Sequence, residues 1–378
     1  MILGIDASNI KDGGGLTHLK ELLENVEPRQ FGFTKVILWS LHDTLIRIED
    51  KDWLVKIKLD DKYRNFFQRW YWQKFSLSSV AKNEKCSILF IPGSSFSGSF
   101  RPFVTLSQNL LPFEWKELGR YGLSKATIRL MLLYFFQKFT FLRANGIIFL
   151  TDYARKTILT KIRAGYKSTE VISHGINPKF FRKPRTQKEY DSTDQQAINL
   201  LYVSFIGEYK HQWNVVKAVK LASDVGWNIK LNLVGNLTER KAANKLFSQL
   251  KIDDQNNQYV NLVTNVSYES VQDFYKSADI FIFASTCENL PNILLEAMAA
   301  GLPILSSSYG PMPEVLGNAG IYFDPLSPVD IRNKLIQLIE NKKLRSEIAL
   351  NAYQKAQQFT WKKTSEETFK FLFSSILS

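Results

Sequence analysis

A chain of 378 residues, 45% hydrophobic and 13% aromatic, can bury two sizeable cores and is too apolar to be disordered. Its net charge of +13 is lopsided, with 27 Lys and Arg against 16 Asp and Glu in residues 1–180 but 22 against 20 in residues 181–378. Two cysteines, Cys86 and Cys287, exclude a disulfide framework, and no Cys/His spacing reads as a metal site. The basic first half would suit nucleic acid, an anionic membrane surface or an acidic substrate. The opening MILGIDASNI has no basic leader and its apolar run breaks at Asp6, so no signal peptide is read and a reducing, cytoplasmic compartment is expected. No stretch is long enough for a membrane span.

Residues 2–5 read as a buried first strand. Gly13, Gly14 and Gly15 come next, followed by a helical pattern over 16–25. Glycines allow close backbone approach to a ligand, and a helix start offers free N–H donors. Their plainer use is a flexible loop. Residues 35–40 and 87–92 are further strands. Between them Tyr63, Phe66, Phe67, Trp70, Tyr71, Trp72 and Phe75 stand among basic residues. Base stacking would be one use of these rings, but the helical spacing predicts a core-facing helix. Residues 104–107 form a strand that runs into Gln108 and Asn109, the latter either a site residue or an Asx turn ahead of Pro112.

Residues 123–143 set Leu130–Phe136, Phe139, Phe141 and Leu142 among Lys125, Arg129, Lys138 and Arg143. Such a helix lies in a membrane interface, is buried in its domain, or does both at its two faces. Strands follow at 146–151 and 169–173, the second closed by His174. Residues 182–198 are polar and strand-free, which reads as a linker. Beyond it, strand 199–205 leads into a loop carrying Lys210 and His211, then a helix over 214–222. Strands 230–234 and 259–263 end near Asn236 and at Asn265 and Val266. Helices are expected over 330–340, 344–358 and 361–377.

Residues 281–301, FIFASTCENLPNILLEAMAAG, are the most informative stretch. A strand over 280–284 ends just before Glu288. Pro291 suits a first helical position, and Gly301 suits the stop of a helix over 292–300. Glu288 thus lies at a strand's carboxyl end, where open α/β sheets bind ligands. Glu296 lies inside the helix, with seven residues between the two acids. Helix rise puts the carboxylates about 10 Å apart. That is wider than a retaining glycosidase pair and suits the two ends of an extended ligand. The helix's free N–H groups between them would take an anion.

The run E-N-L-P-N-I-L-L-E-A-M-A-A-G-L-P-I-L, followed by Pro313-Glu314-Val315, resembles the E-x7-E signature of retaining GT-B glycosyltransferases of family 4. The resemblance covers most of the chain and is strongest over 200–324. It implies an α/β GT-B fold of two Rossmann-like domains facing across a cleft. Residues 1–181 would bind the acceptor and 199–360 the nucleotide sugar, with 361–378 a helix returning to the first domain. It further implies metal-independent, retaining hexosyl transfer without a cofactor, from a UDP- or GDP-sugar to a saccharide; the basic first half and its helix 123–143 add the expectation of a lipid-linked saccharide acceptor in cell-envelope polysaccharide assembly. Glu288 would contact the donor sugar, with Asn289, Leu290, Pro291 and Asn292 beside it, and Glu296 would hold the ribose. Gly13, Gly14 and Gly15 would lie near the diphosphate, Asn265 and Val266 near the base, and Lys210 with His211 at the phosphates. Asn109 stands where many relatives place a sugar-contacting histidine. One departure is clear: Phe205 occupies the usual position of an arginine.

Two other classes compete with this reading. One is a different GT-B enzyme, an epimerase or a phosphorylase, which the E-x7-E text and the absence of a cofactor-lysine motif oppose. The other is a non-catalytic basic binding protein, which the missing arginine and histidine leave open. The basic, aromatic first half favours a peripheral position on an anionic cytoplasmic membrane face over nucleic acid.

Overall fold

The computed structural model describes residues 1–163, 168–192 and 196–377. The chain divides into two compact units: unit 1 comprises Met1–Leu118, Gly122–Gly175 and Thr360–Ser378, and unit 2 comprises Gly119–Tyr121 and Ile176–Phe359.

Unit 1 is built on seven strands: β1 (Ile2–Asp6), β2 (Lys35–Ser40), β3 (Leu54–Lys58), β4 (Ile88–Ile91), β5 (Phe103–Leu106), β6 (Gly146–Phe149) and β7 (Ser168–Val171). All pairings are parallel, in the order β3-β2-β1-β4-β5-β6-β7. The central runs are apolar throughout because a parallel sheet is covered on both faces; β4, β5 and β6 are buried at every position. The edge strand β3, which the sequence reading passed over, alternates apolar residues with lysines and is only partly buried. Unit 2 holds β8 (Ile198–Val203), β9 (Ile229–Val234), β10 (Val260–Val263), β11 (Ile280–Phe283), β12 (Ile304–Ser307) and β13 (Ile321–Phe323), again parallel, in the order β10-β9-β8-β11-β12-β13.

Both orders reverse direction beside their first strand, between β1 and β4 and between β8 and β11. In open α/β sheets, ligands lie outside the strands' carboxyl ends at this switch point. The loops after β1 and β4, and after β8 and β11, are therefore the places to search for chemistry.

Two local expectations need correction, and a third is decided between its alternatives. The glycine run is the first turn of its helix, Gly13–Glu24, and not a loop ahead of it. Asp12 caps this turn with extended backbone and no side-chain bond, so the glycines themselves present its N–H donors. Residues 62–82 are not a core-facing helix. They form the short helix Phe66–Tyr71, a π-helical turn Trp72–Leu77 and the helix Ser78–Asn83. The extra residue of the π turn swings Trp72 and Gln73 inward and leaves Phe66, Phe67, Trp70, Tyr71 and Phe75 exposed. Of the readings open for the helix Lys125–Arg143, the structure shows the two-faced one. The helix packs inward through Tyr134, Gln137, Thr140 and Phe141 and turns Ile128, Met131, Leu132, Phe135, Phe139 and Leu142 to solvent.

The last helix, Trp361–Leu377, belongs to unit 1, where Phe369 lies 5.9 Å from Phe33 and Phe371 closes against Gly146. Segment 182–198, expected as a linker, falls within unit 2: Arg182 N–H donates to the Ala299 carbonyl at 2.9 Å and Arg345 stacks on Tyr190 at 4.5 Å. Its residues 193–195 lie outside the described residues. Among the described residues no helix is long and apolar enough to cross a membrane.

Candidate active site

The loop after β8 and the loop after β11 are tied to each other in unit 2. Thr286 N–H donates to the Tyr209 carbonyl at 2.9 Å, and the Tyr202 hydroxyl donates to the Lys210 carbonyl at 2.5 Å. Gly235, after β9, makes the close packing possible. Its φ is +151°, and a Cβ there would stand 2.0 Å from the Ser204 carbonyl oxygen.

These loops bring Lys210 and Glu288 into an ion pair, Nζ to Oε1. The Lys210 side chain is 4% exposed and that of Glu288 13%. Three rings surround the ammonium, those of Phe205 and Tyr209 at 5.1 Å and Phe283 at 5.3 Å. Phe205 thus gives Lys210 an aromatic face at the position where the resemblance leads one to expect a second cation. A buried pair of this kind is costly to break from one side, because the remaining charge has no solvent.

His211 differs from its expected part in phosphate neutralisation. It sits in the left-handed region at φ 52° and caps the helix Gln212–Ser223. Its Nε2 lies 3.1 Å from Thr286 Oγ1. Burial first, then the charges of Arg120 and Lys245, push its pKa down to about 3. The ring is neutral at physiological pH and offers hydrogen bonding only.

Glu296 lies on the helix Asn292–Ala299, for which Pro291 serves as the capping residue and not as the first helical position. Gly301 stops the helix in the left-handed region at φ +65°. The Tyr275 hydroxyl donates to Glu296 Oε2 at 3.0 Å. Burial pushes this carboxyl up to about 7, against the lowering effects of the Tyr275 bond, the Lys179 charge and Tyr268. The residue as a whole is half-buried.

Asn289, Leu290 and Pro291 are buried beside Glu288, and Asn292 is half-buried. Asn265 follows β10 in the left-handed region at φ 57°, its N–H held by Asn236 Oδ1 at 2.8 Å, with half-buried Val266 next. Lys210, His211 and 288–292 therefore meet at one switch point. Glu296 stands one helix further on, and Asn265 and Val266 border a neighbouring strand end. In unit 1, Gly13, Gly14 and Gly15 open the helix after β1, and a Cβ on Gly15 would come 3.1 Å from Gln108 Oε1. Asn109 makes the Asx turn, its Oδ1 accepting from Leu111 N–H at 3.1 Å.

Sequence reasoning missed several supporting groups. Tyr275 precedes β11 in a short helix and could have been noticed as a polar-tipped ring on a buried face. Tyr202, Thr286 and Lys179 carry no local signal, since their roles come from tertiary packing. The same holds for Glu208, which is buried, pairs with Lys245 at 2.6 Å and lends its N–H to Glu239 at 2.9 Å.

Against known proteins, residues 185–355 match the family described as glycosyl transferases group 1. An uncharacterized glycosyltransferase of Methanocaldococcus jannaschii is 27% identical over 256 residues, which is 65% of this chain and 64% of that protein. The chain thus spans under two thirds of that relative's length. Sucrose-phosphate synthase from Thermosynechococcus elongatus is similar in structure, with a TM-score of 0.72 and 14% identity over 97% of both chains. HepE of Anabaena in complex with UDP gives 0.70 and 16% identity over 99% of both chains. Structural identities this low speak for the fold alone. The chain thus has the GT-B fold, two parallel α/β units in one strand order, and its residues 185–355 are similar to the glycosyl transferases of group 1.

Proposed function

We propose that the chain is a retaining glycosyltransferase of the family 4 type, which moves a hexosyl group from a nucleotide sugar to a saccharide or lipid-linked saccharide. The observation that carries this reading is the Lys210–Glu288 pair at the β8/β11 switch point. Each partner satisfies the other in the free protein. A nucleotide sugar would exchange that bond for two of its own, diphosphate oxygens on the Lys210 ammonium and sugar hydroxyls on the Glu288 carboxylate. Glu296 would accept from the ribose hydroxyls, and Asn265 and Val266 would border the base. The Anabaena protein's complex with UDP supports UDP as the nucleotide.

The chemistry follows from these charges. As the bond from the anomeric carbon to the diphosphate oxygen breaks, negative charge grows on the departing phosphate, and Lys210 with free helix N–H groups stabilises it. The departing oxygen then takes the acceptor hydroxyl's proton on the same face where the new glycosidic bond forms, so configuration is kept. Gly13, Gly14 and Gly15 and the Asn109 amide are the unit 1 groups assigned to the donor. The cations of unit 1 would hold the enzyme at an anionic membrane surface in the cytoplasm, where a polysaccharide precursor is presented.

The test is a panel of UDP- and GDP-sugars incubated with the protein, with and without a chelator, and assayed for slow donor hydrolysis. One sugar nucleotide should be turned over, at a rate the chelator leaves unchanged. A protein that binds nucleotide but hydrolyses none of the panel, with or without saccharide acceptors, would be a binding protein of this fold.

A further inference from the structure

Unit 1 has its own crevice at the β1/β4 switch point, and its walls are unlike those of unit 2. A cavity of about 570 Å³ opens between Asn9 after β1, Gly93, Ser95 and Ser97 after β4, the helix Phe66–Tyr71 and the helix Lys125–Arg143. That volume falls within the range of small-molecule sites. The far wall is apolar, made of Phe66, Trp70, Ile128, Leu132, Leu133 and Phe136. A second hollow of about 520 Å³ shares Trp70, Leu132 and Phe136 and extends outward over Phe135 and Phe139. The two make a path from the strand ends to the exposed aromatic surface.

Three cations line the first cavity: Arg69, Lys125 and Arg129. None is in an ion pair among the described residues. Arg69 donates to the Arg64 carbonyl at 3.1 Å. Asp6 at the end of β1 acts on Arg69 only at a distance, since its oxygens take Gln73 Nε2 at 2.7 Å and Ser8 N–H at 3.2 Å. Gln73, which the π turn points inward, also donates to the Ser95 carbonyl at 3.2 Å and so fixes the cavity floor. Asn9 Oδ1 is buried there without a hydrogen-bond partner among the described residues. The unpaired cations ask for an anion, Asn9 Oδ1 is an acceptor that asks for a hydroxyl donor beside it, and the apolar path leading away asks for a hydrocarbon chain.

We propose that this cavity binds one phosphorylated lipid, its phosphate on Arg69, Lys125 and Arg129 and its chain along Phe66, Trp70, Leu132 and Phe136 towards Phe135 and Phe139. The site rests on the glycosyltransferase reading only in making this lipid the carrier of the acceptor.

Farnesyl diphosphate is a soluble probe of both features. It is titrated into the full chain and followed by tryptophan fluorescence, with inorganic diphosphate and farnesol in separate arms. Farnesyl diphosphate should saturate, and losing either the charge or the chain should weaken binding about tenfold or more. Arg129→Glu and Leu132→Asp should each weaken farnesyl diphosphate about tenfold, since one reverses a cation and the other puts a carboxylate on the chain path. Both positions are exposed, so the fold should hold, and unchanged UDP binding checks it. Inorganic diphosphate binding as tightly as farnesyl diphosphate would mean a simple anion site and overturn the proposal. Undiminished binding by both variants would do the same. So would a dimer in sedimentation velocity that Leu132→Asp converts to monomer, because a second copy would then cover the path. UDP binding and donor hydrolysis are read on the same samples. Their absence alone removes the glycosyltransferase reading, and loss of lipid binding with both intact removes only the lipid site.

Discussion

The two units share a strand order and differ in what they place at its turning point. In unit 2 the switch-point groups are paired and knitted together: Lys210 with Glu288, His211 with Thr286, Glu208 with Lys245. In unit 1 the corresponding crevice has apolar walls and cations that form no ion pair among the described residues. Topology fixes where a ligand sits, and side chains decide which ligand. A preformed, self-satisfied polar site suits a small charged ligand that must be oriented closely, while a greasy basic site suits one held by charge and area. The charge distribution agrees: residues 1–180 carry a surplus of 27 − 16 = 11, and residues 181–378 only 22 − 20 = 2.

The comparison breaks most readily at Lys210. Lys210→Ala leaves Glu288 buried and unpaired, which should cost about 3–5 kcal/mol of stability. It also removes the charge proposed to face the departing phosphate, so turnover should fall about 100-fold or more. Lys220→Ala removes only an exposed helix pair with Asp224 and should change stability by no more than about 0.5 kcal/mol. Comparable turnover in the two variants would end the assignment of Lys210.

Next in size are the two acids. Glu296→Ala should weaken bare UDP by about 10- to 100-fold, the cost of one lost charged hydrogen bond. Glu288→Ala should leave bare UDP nearly unaffected and weaken only the nucleotide sugar. Calorimetry that finds both variants equally impaired for UDP would remove this division of labour.

Glu296 also gives unit 2 a pH dependence of its own. Its carboxyl titrates about 7 when folded against an ordinary 4.5. The native state thus holds the proton more tightly than the unfolded chain, so this group's contribution to stability is complete below the ordinary value and is lost as pH rises through about 7. Nucleotide binding runs the other way, because the ionised form is the better acceptor for ribose hydroxyls. UDP affinity should rise about tenfold from pH 6 to pH 8 as the carboxylate fraction grows. Glu296→Gln should flatten that rise, and Tyr275→Phe should move its midpoint upward by removing the bond that favours the anion. An equal rise in Glu296→Gln would assign it to the nucleotide's own phosphate.

Much of this was legible in the chain. The buried parallel strands read directly, because runs such as GIIF and IFIF are apolar throughout, and Glu288, Glu296 and Lys210 stand out by position. The edge strand β3 was missed because its lysines break the apolar run. The π turn was missed because it adds a residue to the helical count, so the pattern that predicted core-facing rings at Phe66, Phe67 and Trp70 loses register at Trp72. The tuning of Glu296 was not readable, since it comes from Tyr275 on another helix.

The smallest effect concerns the outer face of unit 1, and it tests whether the unpaired cations do more than keep the protein soluble. The helix Lys125–Arg143 turns Ile128, Met131, Phe135 and Phe139 outward with Lys125, Arg129 and Lys138 among them, and Phe67, Tyr71, Phe75 and Lys74 are exposed nearby in sequence to the lipid cavity's wall. Aromatic side chains beside lysines suit an interface in which rings enter the acyl boundary and ammonium groups stay with phosphates. Lys138 does not line the lipid cavity; its ammonium lies 5.9 Å over the Tyr134 ring. Lys138→Ala therefore probes the surface without disturbing that site. Each Lys near an anionic surface supplies about 1 kcal/mol, so the single variant should weaken vesicle binding about fivefold. A Lys125/Arg129/Lys138 triple alanine variant should lose correspondingly more. Co-sedimentation should rise with the fraction of phosphatidylglycerol and fade with salt, as exposed charges are screened. Phe135→Ser should lower binding by an amount that salt does not change, because it removes area and not charge. If the protein ignores anionic vesicles at low salt, the exposed rings are not a membrane face, and a soluble acceptor replaces the lipid-linked one.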